Sequence, residues 1–243
     1  MKSKLRPWAF GLILIALLTG CIPGTATSIT GSGIVITREV DLIGFNKVAA
    51  SHKFQVDIRQ GEVFSVVIRI DDNLKKHLEV VKENSTLKIG LNPDRNYDIR
   101  EATMEAVVTM PELTGISLSG ISRSTVTGFR STQALAVDVS GASSVSGNIE
   151  AGDARFNISG GSQVALTGSV EDVNIRASGS SEVDLTEFAV VDASVHASGA
   201  SRVTVYASGQ LETDASGGSR VYYLGDPELG RIHTSGGASL HRK

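Results

Sequence analysis

The 243-residue sequence predicts an all-β fold of right-handed parallel β-helix-like repeats, about 19 residues per coil, preceded by a β-rich N-terminal segment. Three observations predict it. A Ser-Gly pair recurs with Gly at 120, 141, 160, 179, 199, 217 and 236, at spacings of 21, 19, 19, 20, 18 and 19. Apolar residues alternate with polar ones around each pair, which is the two-residue period of a strand. Aromatics make up only 5% of the chain while Gly numbers 26, a balance that suits closely stacked strands better than a helical bundle. A unit of this length is too short for a helix pair or a propeller blade, but it closes one coil that stacks on the last at roughly 4.8 Å.

Residues 1–20 read as a lipoprotein signal peptide. Lys2, Lys4 and Arg6 precede the apolar run Trp8 to Leu18, which is too short to span a bilayer of roughly 30 Å. The run ends in Leu18-Thr19-Gly20-Cys21, similar to the lipobox at which a new N-terminal thiol is acylated. Cys21 is the chain's only cysteine, so it is the expected lipid attachment site, and no disulfide forms within one chain. More than one acyl chain at about 0.8 kcal/mol per buried CH₂ anchors stably. Residues 21–42 are expected as a lipid-anchored tether, small and polar across 22–33. Ile22 follows the cysteine with no Asp to signal inner-membrane retention, so the expected location is the envelope, and the outer membrane where a cell has two.

Cleavage removes three basic and no acidic residues from 23 Lys+Arg and 26 Asp+Glu, so the mature net charge is −6. That balance argues against nucleic acid as a partner. About 210 residues remain, enough for one domain with a sizeable core.

Residues 43–113 form the β-rich N-terminal portion, read as continuous with the repeats. Phe54 to Ile58 alternates as a strand, Gln60-Gly61-Glu62 turns, and Phe64 to Ile70 continues as a second strand. Asp72 is expected to cap one helical turn, with Leu74 and Leu78 on one face. Asp71-Asp72 and Lys75-Lys76 read as a solvated turn without a role. A Glu83-Asn84-Ser85 turn leads into a strand over Thr86 to Leu91, and Met104 to Met110 is another.

Residues 114–243 carry the repeats. Four and two residues before each Gly stand inward-reading pairs, Val137 and Val139, Phe156 and Ile158, Ile175 and Ala177, Val195 and Ala197 among them. Two after it stands Ser122, Ser143, Ser162, Ser181, Ser201 or Ser219, and two further on Val145, Val164, Val183, Val203, Val221 or Leu240. Stacking brings Val183 onto Val203 and Ile158 onto Ala177, places Gly at the sharp corner, and lines the serines up as potential hydroxyl ladders.

The stretch Gly44-Phe45-Asn46-Lys47-Val48, the Gln60-Gly61 turn, Met110-Pro111-Glu112-Leu113 and the Ser-Gly-x-Ser-x-Val repeats resemble the head GIN domain family. Its members are often labelled auto-transporter adhesins, and many are envelope lipoproteins. The resemblance covers about 43–240. It implies a β-helical fold and no established catalytic residues, and it transfers fold more firmly than function.

Three outward columns are candidates for chemistry. Asp153, Asp172 and Asp192 lie seven before the Gly in consecutive coils, where carboxylates roughly 4.8 Å apart would suit an acid pair or Ca²⁺. Asp is also a turn residue, and the neighbouring columns supply no complete ligand set, which favours the turn role. Asp138, Asn157, Arg176, His196, Asp214 and His233 lie three before the Gly and read as an outward polar face rather than a metal ladder. Glu182, Arg202 and Arg220 lie three after it as a surface charge ladder.

No Gly-x-Ser-x-Gly elbow is present. A carbohydrate-cleaving β-helix needs paired acids beside aromatic subsites, and the repeats offer only Phe129, Phe156, Phe188, Tyr206, Tyr222 and Tyr223. The expected function is therefore a non-enzymatic envelope lipoprotein, without cofactor or metal, presenting a binding surface to an envelope protein, a polysaccharide or its own copies. A β-helix carbohydrate-active enzyme and a structural or stress-related envelope component are the rivals. Residues 43–113 are available to cap one end and His241, Arg242 and Lys243 blunt the other, so a monomer or weak dimer is expected.

Overall fold

A computed structural model describes residues 26–243. Cys21 and the signal segment lie outside them. Among the described residues, nineteen strands join in one continuous sheet, and Thr27–Thr30 pairs in parallel with Tyr97–Arg100 apart from it. The sheet is wound into a solenoid by the Ser-Gly corners. One strand series precedes the corner, as in Leu135–Val139 and Ala154–Ile158, and a second follows it, as in Ser144–Glu150 and Arg202–Ala207. Every strand in both series pairs in parallel with its counterpart one coil away.

The corner follows from local chemistry. All seven repeat glycines have φ between 62° and 76°, a left-handed conformation that costs a residue bearing Cβ. From Gly141 onward each corner glycine also sits against the one below, where the Gly160 and Gly179 carbonyls accept from the Ser180 and Ala200 N–H groups at 2.8 and 2.7 Å. The serines two residues later are buried, but they do not form the expected hydroxyl ladder. Ser122, Ser201 and Ser219 instead donate Oγ–H to the carbonyls of Ser119, Ser198 and Ser216 at 2.8–2.9 Å. Each of these three closes its own corner, while Ser162 Oγ and Ser181 Oγ are buried without a hydrogen-bond partner.

The inward columns are as the repeat implies. Val183 and Val203 are register partners, as are Ile158 and Ala177, and all four are buried. Phe129, Phe156 and Phe188 fill the same interior, the last two with ring centroids 6.2 Å apart.

Residues 43–113 do more than cap. Lys47–Ala50 and Gln55–Gln60 pair in parallel with Gly115–Leu118 and Arg123–Arg130, which makes them a coil of the same solenoid. Here Ser51-His52 occupies the Ser-Gly place, so the repeat was invisible to a search for glycine. Thr86–Leu91 and Met104–Met110 stack on the far side of that coil, again in parallel. The chain thus builds the outer level second and crosses back before the repeats begin. Ser65–Asp71 and Leu78–Glu83 then pair antiparallel with the outer level and close that end of the sheet.

Three local expectations are corrected. Residues 26–42 are not a free tether, because Val35–Glu39 pairs antiparallel with Ser65–Asp71 and Thr27–Thr30 is also a strand. The short 3-10 helix Asp72–His77 is capped at Asp71, one residue earlier than expected, and without a side-chain cap bond; Leu74 is buried while Leu78 is only half-buried. Asp71 is not part of a solvated turn. Its carboxylate is 1% exposed and accepts the backbone N–H groups of Gly33 at 2.7 Å and Thr103 at 2.6 Å, tying the N-terminal strand to the solenoid. Asp71→Ala strands both donors and should cost about 2–3 kcal/mol in urea unfolding. The exposed Asp94→Ala should stay within about 0.5 kcal/mol.

Candidate functional site

On a strand whose alternate residues are buried, the others face outward together. In the first series this gives a column in continuous register, Ser117, Asp138, Asn157, Arg176, His196, Asp214 and His233, one residue per level. Asn157 Nδ2 donates to Asp138 Oδ1 at 2.6 Å, linking two levels. Beside the column run the corner serines, Ser159, Ser178, Ser198 and Ser216 among them. Together these side chains line a shallow groove of about 480 Å³. The His196 Nδ1 atom is buried in it without a hydrogen-bond partner.

Two further shallow grooves, about 530 and 520 Å³, open on the same face. The second is lined by Asp153, Asp172 and Asp192, so the structure does bring the acidic column together, with Asp172 and Asp192 in register. Asp192 Oδ1 accepts the Gln210 N–H at 2.6 Å, the turn role that favours Asp there. Among the described residues, no group of three or more His, Cys, Asp and Glu is placed to hold a metal ion.

The second series carries Glu182, Arg202 and Arg220 in register. Among the described residues none of the three forms an ion pair; the Arg202 guanidinium instead lies 5.9 Å from the centre of the Tyr222 ring, which stacks on His241. Of the six aromatics available for sugar subsites, Phe129, Phe156 and Phe188 are core, which removes half the set a sugar-cleaving groove would draw on.

One cluster escaped the sequence. Ser51 Oγ and His52 Nδ1 stand 2.7 Å apart, and the same Nδ1 accepts the Leu91 N–H at 3.3 Å. The His52 ring meets Tyr97 edge-on at 5.8 Å, and Tyr97 meets His77 at 5.4 Å. Burial lowers the pKa of the His52 imidazole from its ordinary value. The available signal was the spacing Val48-x-Ala50-Ser51-His52, which matches Ile116-x-Leu118-Ser119-Gly120.

The fold and this face define a class: a β-solenoid that displays register-locked columns of polar side chains. The family model described as "Putative auto-transporter adhesin, head GIN domain" matches residues 44–227, and the chain belongs to that family. The resemblance carried by Gly44 to Val48 and the Ser-Gly repeats is thereby borne out, as is the β-helical fold.

Solved structures agree. A putative adhesin from Bacteroides fragilis superposes with a TM-score of 0.82 at 19% identity, covering 88% of this chain and 100% of its own. A protein from Parabacteroides distasonis described as a putative lipid binding protein gives 0.74 at 20% identity over 89% and 100%. A putative adhesin from Parabacteroides merdae gives 0.65 at 17% over 90% and 100%. At these identities the likeness establishes a shared fold. No curated protein matches the chain.

Proposed function

We propose that the protein is a lipid-anchored component of the cell envelope that binds through the outward face of its solenoid and performs no catalysis. The observation that carries this is the face itself: polar side chains fixed one per level, lining three adjacent shallow grooves. Such a surface suits recognition of an extended partner, since each strand sets the height of its own contact and none depends on a mobile loop. Membership of an adhesin-labelled family supports the same reading. Acylated Cys21 would hold the molecule to the membrane, the outer one in a two-membrane cell. Antiparallel strands cover one end of the stack, which supports a monomer or weak dimer.

The test uses the full chain, Cys21→Ala, and the double variant Arg176→Glu/His196→Glu, fractionated from cells and applied to an array of bacterial envelope polysaccharides and envelope proteins. Wild type should partition with membranes and bind at least one array member. Cys21→Ala should lose the membrane and keep the binding, and the double variant should keep the membrane and lose binding at least tenfold. Equal membrane partitioning of Cys21→Ala and wild type would remove the anchor from this reading. Binding untouched by the double variant would remove the face.

A further inference from the structure

Two residues near the N-terminal end of the solenoid depart from what their backbone asks for, in opposite senses. At the corner position every repeat coil uses glycine, with φ between 62° and 76°. The 47–60 coil has the same conformation there, φ 59°, but places His52 in it, followed by Lys53 at φ 66°. Histidine tolerates the left-handed region better than most residues, yet glycine is the unstrained choice that the other coils make. One level outward, Gly90 shows the reverse. Its φ is not positive, so its backbone does not need glycine, but a Cβ there would stand 2.5 Å from Ser51 Oγ and 3.2 Å from His52 Nδ1. A side chain is kept where glycine fits best, and is omitted where one would be conformationally free. Both departures adjoin one cavity of about 210 Å³, set between Ala49, Gly90 and Ser117.

Strain of this kind gathers at ligand clamps, where the surroundings hold a side chain in a costly pose for its use. The cavity falls below the roughly 300–1,000 Å³ that drug-sized ligands fill, so it accepts one small unit. Its wall offers hydroxyls from Ser51, Ser117 and Ser119 and the carboxylate of Glu79, which has no ion-pair partner among the described residues. Lys88 is already engaged by Glu83, so no free cation is offered to an anion. Ala49, Ile89 and Pro93 supply apolar patches between these groups. Alternating hydroxyl, carboxylate and small apolar surface matches a neutral sugar ring, whose C–H faces are apolar and whose rim is hydroxyl. We propose that this cavity is a binding site for one uncharged saccharide unit of a larger glycan, with His52 and Glu79 as its principal hydrogen-bonding groups. The proposal rests on the binding-module reading and names the ligand class for a place on the solenoid that the three grooves do not include.

The test follows the imidazole resonances of the full chain by NMR during titration with glucose, galactose, mannose, N-acetylglucosamine and glucuronate, each at millimolar concentration. At least one neutral sugar should shift the His52 signals saturably, and glucuronate should bind at least tenfold more weakly because the unpaired Glu79 repels it. His52→Asn keeps an acceptor close to Nδ1 and tolerates the left-handed backbone, so it should melt within a few degrees of wild type and bind at least tenfold more weakly. Ser117→Phe changes an exposed residue and fills the cavity, with the same expected loss. Silence of the His52 signals toward all four neutral sugars would overturn the proposal, and so would binding retained by both variants. Array binding lost on Arg176→Glu/His196→Glu but kept on His52→Asn and Ser117→Phe would leave the outward face as the binding surface and remove this cavity.

Discussion

Val203→Asp should remove a large share of the stability of the solenoid. Val203 is fully buried, and its register partners Val183 and Val221 are fully buried too, so the new carboxylate meets only aliphatic side chains on both adjacent levels. An ionised group there lacks a partner, and a protonated one still lacks hydrogen bonds. An uncompensated buried charge costs about 3–5 kcal/mol, against a total of about 5–15 kcal/mol for a typical domain. A stacked architecture concentrates the damage, because each coil is stabilised chiefly by its two neighbours. Urea unfolding followed by circular dichroism should show a midpoint far below wild type, while the exposed Glu182→Gln, on the neighbouring level, should move it by less than about 0.5 kcal/mol. An unchanged midpoint for Val203→Asp would mean that the inward column has been misassigned.

That column was legible because its pattern recurs. Val145, Val164, Val183, Val203 and Val221 hold one place relative to the corner glycine, and a recurring residue in a recurring context signals stacking. The 47–60 coil obeys the same geometry, with Val48 and Ala50 in register with Ile116 and Leu118, but it hides because His52 stands for glycine and Phe54 for the corner serine. The outer level, Thr86 to Met110, hides for another reason: it is built out of chain order, and sequence spacing says nothing about a crossover. Asp71 was misread because Asp-Asp beside Lys-Lys has the composition of a surface turn, while its burial is set by Gly33 and Thr103, distant in sequence. The outward polar column was readable to the residue. The His52 cavity was not, since it depends on Gly90, from the outer level built out of chain order, and on Glu79, from the strand paired antiparallel with that level.

Gly160→Ala should be far more damaging than Gly33→Ala, although both glycines have left-handed backbones, at φ 72° and 75°. Around Gly33 nothing lies within 4 Å of an added Cβ, so only the conformational cost applies, about 1–2 kcal/mol. At Gly160 the added carbon would stand 2.4 Å from the Gly141 carbonyl oxygen, which already accepts the Gly161 N–H at 2.8 Å. That contact is with backbone, so no side chain can swing aside, and relief requires the two coils to separate at the corner and lose the rung. The combined loss should reach about 3 kcal/mol or more. Gly236→Ala, on the last level, where the corresponding gap is 3.0 Å, should fall between the two. Thermal melts of the three variants order these costs directly. Equal losses would show that the coils yield to a methyl group without penalty, and the corner glycines would then fix only the turn and not the spacing at which the outward columns are displayed.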